Sequence, residues 1–187
     1  MAKYQTTLPN SVVPITEQDG IAAREWYRYW SDLFAYTGIG TGPKTIGSFF
    51  GTTTQTAAAN TPTPVALNTT GIATSIVLNT PQIVMQKTAP HQFYATVSFT
   101  STIADTAIVY LTVNGAEVAN SGRSVPVPAS GIDGVAIITL NIAYQFTAGD
   151  IAELIWMNLG GNAKIHSVAA GTTPAVPGVT VTVTQLD

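Results

Sequence analysis

Two histidines, His91 and His166, and no cysteine are all that the chain offers in imidazole or thiol chemistry. His166, in "AKIHSVAA", has no second ligand at a helpful spacing and so gives no metal site. Without cysteine there is neither a thiol nucleophile nor a disulfide framework. Asp133 in "SGIDGV" and Asp150 in "TAGDIAE" sit beside glycines. A carboxylate in that position shapes a turn by accepting backbone N–H groups more readily than it forms half of an acid–base pair. "GIGTGPKTIG" has the glycines of a phosphate loop, but Pro43 separates Gly42 from Lys44, and the segment follows an expected helix where a phosphate loop would open one. No Gly-x-Ser-x-Gly elbow is present. Asn68 begins an "NTT" sequon, which has meaning only on a secretory route. The residues therefore predict a non-enzymatic protein with no cofactor and no metal.

The composition narrows the class further. A chain of 187 residues has room for one domain and an appendage. Only 9% of its residues are charged, against roughly 25% in ordinary soluble domains. Threonine fills the gap, occurring 29 times, and β-branched residues suit the pleated surface of a sheet. A net charge of −3 and a pI near 5.2 give no basic face for nucleic acid. No run approaches the 18 apolar residues of a membrane span, so no membrane insertion is expected. The opening "MAKYQTTLPNSV" has no apolar signal core, and export by a cleaved signal is not expected.

The elements that must position any site fall into two textures. Leu8-Pro9 and Val13-Pro14 keep the first stretch extended. Thr16 to Asp19 then has the spacing of a capping box, with Asp19 an alternative cap for a helix beginning near Gly20. Ala22, Trp26, Tyr29, Leu33 and Tyr36 recur at helical spacing, and Trp30 widens that stripe. Arg24, Glu25, Arg28 and Asp32 lie mainly off it. The helix should end before "TGIGTGPKTIG". An amphipathic helix of about four turns has to bury its stripe on the body, on its own copies or on a partner.

From Ile46 onward the pattern is that of strands. In "QFYATVSFT", Phe93, Ala95, Val97 and Phe99 alternate with Tyr94, Thr96, Ser98 and Thr100. Asn114-Gly115 is a hairpin signal between two alternating runs. Eight to ten short strands are expected over about 140 residues, with no second helix, which predicts an antiparallel sandwich or barrel. Two strands are apolar on both faces. In one, Ala107, Val109, Leu111 and Val113 oppose Ile108 and Tyr110; in the other, Ile151, Ile155, Met157 and Leu159 oppose Ala152, Leu154 and Trp156. One face of each serves the core. The second needs cover, supplied either by a subunit interface or by a loop folded over it. Ile108, Tyr110, Leu154, Trp156 and His166 are the expected interface residues.

Two resemblances add to this reading. "HQFYATVSFTS", the "VYLTVNGAEVANS" hairpin, "AYQFTAGDIAELIWMN" and the closing "GVTVTVTQL" resemble, in order and spacing, the trimeric jelly-roll heads of the tumour necrosis factor and complement globular-head superfamily. That resemblance covers Phe49 to Leu186. It implies an antiparallel jelly-roll sandwich at residues 46–187, preceded over residues 1–45 by the extended arm, the amphipathic helix and the glycine-rich linker. "LPNSVVPITEQDGIAAREWYRYWSDLFAYTG" resembles the N-terminal segment of small structural proteins of tailed bacteriophages, with Gly20, Arg24, Glu25, Trp26, Arg28 and Trp30 at the matching positions. It implies a virion component assembled in the host cytoplasm, attached through Arg24, Trp26, Arg28, Tyr29, Trp30 and Leu33.

Three readings follow. The first is a homotrimeric decoration, cement protein or short head fibre whose partners are its own copies and a capsid or other virion protein. The second is a tail-associated tip that recognises host surface glycan. The third, a cytokine-like or complement-like ligand, is disfavoured by the missing signal core and the missing cysteines.

Overall fold

In a computed structural model the chain divides into two units, Met1–Pro43 and Lys44–Asp187, and the structure describes residues 44–129, 135–171 and 174–186. Within these run fourteen strands: β1 (Ile46–Gly51), β2 (Gln55–Thr56), β3 (Thr63–Pro64), β4 (Thr69–Thr74), β5 (Ile76–Asn79), β6 (Gln82–Met85), β7 (Ala89–Ser101), β8 (Asp105–Val113), β9 (Ala116–Glu117), β10 (Arg123–Val127), β11 (Ala136–Phe146), β12 (Ile151–Asn158), β13 (Ala163–Ile165) and β14 (Val179–Gln185). Ten of them are four residues or longer, enough for the eight strands of a jelly roll and two edge additions.

They form two antiparallel sheets. The first runs β4-β1-β14-β7-β11, with β13 and β2 continuing along the C-terminal end of β7 on the side of β14. The second runs β5-β6-β12-β8-β10, with β3 beside the end of β12 and β9 beside the end of β8. The chain passes repeatedly from one sheet to the other, so each sheet is assembled from segments distant in sequence. That is the jelly-roll solution to burying the apolar face of both sheets at once.

The alternation along each strand decides which side chains enter the core. Phe93, Ala95, Val97 and Phe99 of β7 have no exposed surface, and Val179, Val181 and Val183 of β14 are fully buried beside them. From the facing sheet come Ala107, Val109 and Leu111 of β8 and Ala152, Leu154 and Trp156 of β12. The Trp156 ring lies 5.7 Å from that of Phe99, so the two sheets meet through an aromatic contact. At the β8–β9 hairpin, Asn114 and Gly115 have φ of 52° and 79°, the two left-handed positions that a type I′ turn demands.

The expected fold class is corrected in one respect. The described residues are all-β and contain no helix. The helix expected near Gly20 to Tyr36, with Arg24, Trp26, Arg28, Tyr29, Trp30 and Leu33, lies outside the described residues, and so does Asp133. What the structure supports is the sandwich, whose strands the β-branched residues favour.

Candidate functional site

The residues with chemical potential are used within the fold. Asp150 closes the β11–β12 turn: its Oδ2 accepts from the Thr147 N–H at 2.7 Å and its Oδ1 from the Asn114 side-chain amide at 2.8 Å. That is the turn-forming role its glycine neighbour predicted. His91 is buried in the first sheet. Among the described residues no three acidic, histidine or cysteine side chains gather as a metal site would require.

A carboxylate that the sequence did not single out organises the opposite end. Asp105, at the start of β8, accepts four backbone N–H groups: Thr106 at 2.7 Å and Gly160 at 2.6 Å on Oδ1, Asn162 and Ala163 at 2.8 Å each on Oδ2. A Cβ at Gly160 would stand 2.9 Å from Asp105 Oδ1, so only glycine lets the turn close over the carboxylate. Burial alone would raise the Asp105 pKa, but the four amides outweigh it and hold the carboxyl below its usual range. Asn158 supports the same turn from within, donating to the Ala163 carbonyl at 2.8 Å and accepting from Gly161 N–H at 3.0 Å. Nothing in the sequence pairs Asp105 with residues 55 or more positions away.

The five expected interface residues do not form one surface. Leu154 and Trp156 turn inward and are buried within a single chain, at 1% and 0% exposure. This corrects their assignment to a subunit contact: the pleat that sends Ala152 inward sends them inward too. Ile108 and Tyr110 point outward from the second sheet and are half-buried, opposite Met157 and Ile155 of β12. Burial and then the Glu117 charge raise the Tyr110 phenol pKa. His166 belongs to the first sheet's side, its backbone N–H donating to Ser98 O at 2.9 Å.

The more unusual surface is the outward face of the first sheet. Its five long strands, β4, β1, β14, β7 and β11, contain no aspartate, glutamate, lysine or arginine at all. The second sheet's strands carry Asp105, Glu117, Arg123 and Glu153. On the first sheet, threonines of β14 alternate outward between buried valines. Tyr94 stands between Thr182 and Asn141 on the flanking strands and is 42% exposed, with Ile72 and Ile137 exposed on the edge strands. The Gln92 side-chain amide donates to Asn141 at 2.8 Å, so even its amides pair with each other. The signal was present in the sequence as charge-free strands, but outward threonine reads equally as a solvated face.

No family model matches the chain, and no curated protein matches it. Solved structures do. Eiger TNF from S. frugiperda superposes with a TM-score of 0.57 at 14% identity, over 78% of this chain and 94% of that one. Murine APRIL, in its structure at pH 5.0, gives a TM-score of 0.54 at 10% identity, over 77% of this chain and all of that one. The sandwich is similar in fold to these tumour necrosis factor-like jelly rolls. At these identities the likeness is one of fold. It agrees with the expectation drawn from the order of "HQFYATVSFTS", the Asn114-Gly115 hairpin and the closing β14 strand.

Proposed function

We propose that the chain is a non-enzymatic structural protein of a bacteriophage virion. Its jelly-roll body self-associates as a homotrimer, and its first 43 residues attach that body to a capsid or other virion protein. The observation that carries self-association is the outward face of the first sheet's five long strands, which contain no charged residue. Monomeric surfaces keep charges spread over them for solubility, and of the charged residues in the described strands only Lys164 of β13, beside Thr100 at the end of β7, belongs to this sheet. A face of threonine, amide and tyrosine buries against a copy of itself without stranding an ion. The number three, and the virion role, are supported by the resemblances of the body and of "GIAAREWYRYW" noted above.

Light scattering on the full chain should give about three times the 19.5 kDa chain mass at micromolar concentration. Tyr94→Asp places a charge in the desolvated contact, which costs several kcal/mol, and should leave a folded monomer because Tyr94 takes no part in the core. A wild-type monomer overturns the assembly. The virion role has its own test: a chain lacking residues 1–43 should still form the trimer and should no longer join particles. Incorporation of that truncated chain would overturn attachment through the N-terminal segment.

A further inference from the structure

His91 is a buried titratable group on the core face of β7 that the proposed interface does not use. It lies on β7 with no exposed surface, cross-strand from Tyr144 of β11 and Gln185 of β14. Its Nδ1 is 2.8 Å from the Ala89 carbonyl. A carbonyl only accepts, so Nδ1 carries the hydrogen and Nε2 holds the lone pair. Nε2 is buried and has no hydrogen-bond partner. The edge of the ring meets Phe146 at 5.7 Å, and Phe146 in turn packs on Tyr144 at 4.8 Å. The ring is held on one side by a carbonyl and on another by aromatics, with its basic nitrogen in an apolar wall.

The position of this ring in the fold gives it a consequence. Gln185, its cross-strand neighbour, is the residue that fixes the entry of the body. The Thr45 N–H donates to Gln185 Oε1 at 3.2 Å, the Gln185 N–H returns to Thr45 O at 2.9 Å, and the Leu186 N–H donates to Pro90 O at 2.9 Å. Protonating Nε2 would create a buried N–H bearing charge with nothing to accept it, a costly state unless the surroundings open to water. Among the neighbouring strands only Tyr144 can ionise; Gln185 and Val183 of β14 cannot, and β6 has no ionisable residue. Lys44, Lys87 and Asp150 lie in the connections at this end. None of them bonds to Nε2.

We infer that His91 is an acid-sensitive strut at the end of the sandwich where residues 1–43 join it: the neutral ring holds β7, β11 and β14 closed there, and the protonated ring loosens them. The direction of its titration agrees. Burial is the leading cause and lowers the imidazole pKa below 6.5, against a weaker opposing effect of the Ala89 bond. A depressed folded-state pKa means that the stabilisation is complete above the unfolded value and is lost as pH falls from there through the folded value.

The test is thermal melting of the full chain from about pH 7.5 to about pH 5, at fixed protein concentration. The wild type should lose roughly 3–5 °C for each pKa unit separating the two states, and His91→Phe, which fills the same apolar wall, should be nearly flat over that range. In parallel, nitrogen NMR of the wild-type imidazoles, assigned with His166→Ala, should show the His91 ring protonated on Nδ1 at neutral pH and titrating below 6.5. This arm needs no folded His91 variant. A wild-type profile as flat as that of His91→Phe, or a His91 ring that titrates at or above 6.5 in the folded protein, overturns the inference.

Discussion

Trp156→Ala will unfold the sandwich earlier by about 3–5 kcal/mol, the range for truncating a large buried aromatic. For a body of this size that is roughly 10–15 °C in melting temperature. The side chain has no exposed surface and contacts Phe99 across the two sheets, so its removal leaves a cavity where β12 and β7 face each other. Neighbouring strands are tied into hydrogen-bonded ladders on both sides and have little freedom to collapse into the space. Trp156→Phe should cost less than half as much. The indole Nε1 is buried without a hydrogen-bond partner, so losing it breaks no bond and partly offsets the smaller ring. Differential scanning calorimetry at one protein concentration checks both values. If Trp156 instead formed a subunit contact, the alanine variant would dissociate with little change in the melting of each chain, and the core assignment would be wrong.

The second large effect is expected at Asp105. Asp105→Asn keeps one acceptor oxygen but turns an NH2 group toward two of the four backbone donors that the carboxylate now satisfies. The expected loss is about 2–4 kcal/mol, because hydrogen bonds to a charged group are the stronger kind and the orphaned donors have no substitute partner. Partial solvent access at this turn keeps the figure from rising further. The sign of the pH dependence follows from the lowered carboxyl pKa. The stabilisation is present above the unfolded carboxyl value of 3.8 and is lost as pH falls from there through the folded value. The wild type should thus lose stability in acid more steeply than Asp105→Asn, and the two curves should converge at the lowest pH. Parallel curves would mean that Asp105 contributes packing and not charge. This acid window lies below that expected of His91, so the two titrations separate in one experiment.

Both residues show where the sequence was readable. Trp156 was visible as part of a strand apolar on both faces, and the strand itself was correctly anticipated. Which face looked inward was not read, because "IAELIWMN" offers Ile151, Ile155 and Met157 on one side and Ala152, Leu154 and Trp156 on the other, although Glu153 in the middle of the first set marks the outer face. The choice was made by the partner strand, where Leu111 and Val109 pair with Leu154 and Trp156 and are fully buried. For Asp105 the sequence offered no pattern, since three of its four donors come from a turn more than fifty residues away. The helix expected near Gly20 is not part of the described fold, and the functional weight placed on it passes to the N-terminal sequence as such.

What the sequence by itself determined is local and periodic. The alternation of β7 and β14, the Asn114-Gly115 turn and the Asp150 turn follow from pleat geometry and from the backbone preferences of asparagine, aspartate and glycine, which act within a few residues. The order of those elements was enough to anticipate a jelly roll. Only the tertiary structure decided which charge-free strands share one face, because β4, β1, β14, β7 and β11 become neighbours through crossovers between the two sheets. It also decided that Asp105 meets the Gly160–Ala163 turn and that His91 is sealed beneath the entry of the body. Each of these depends on contacts between residues far apart along the chain, and such contacts leave no periodic trace in the sequence.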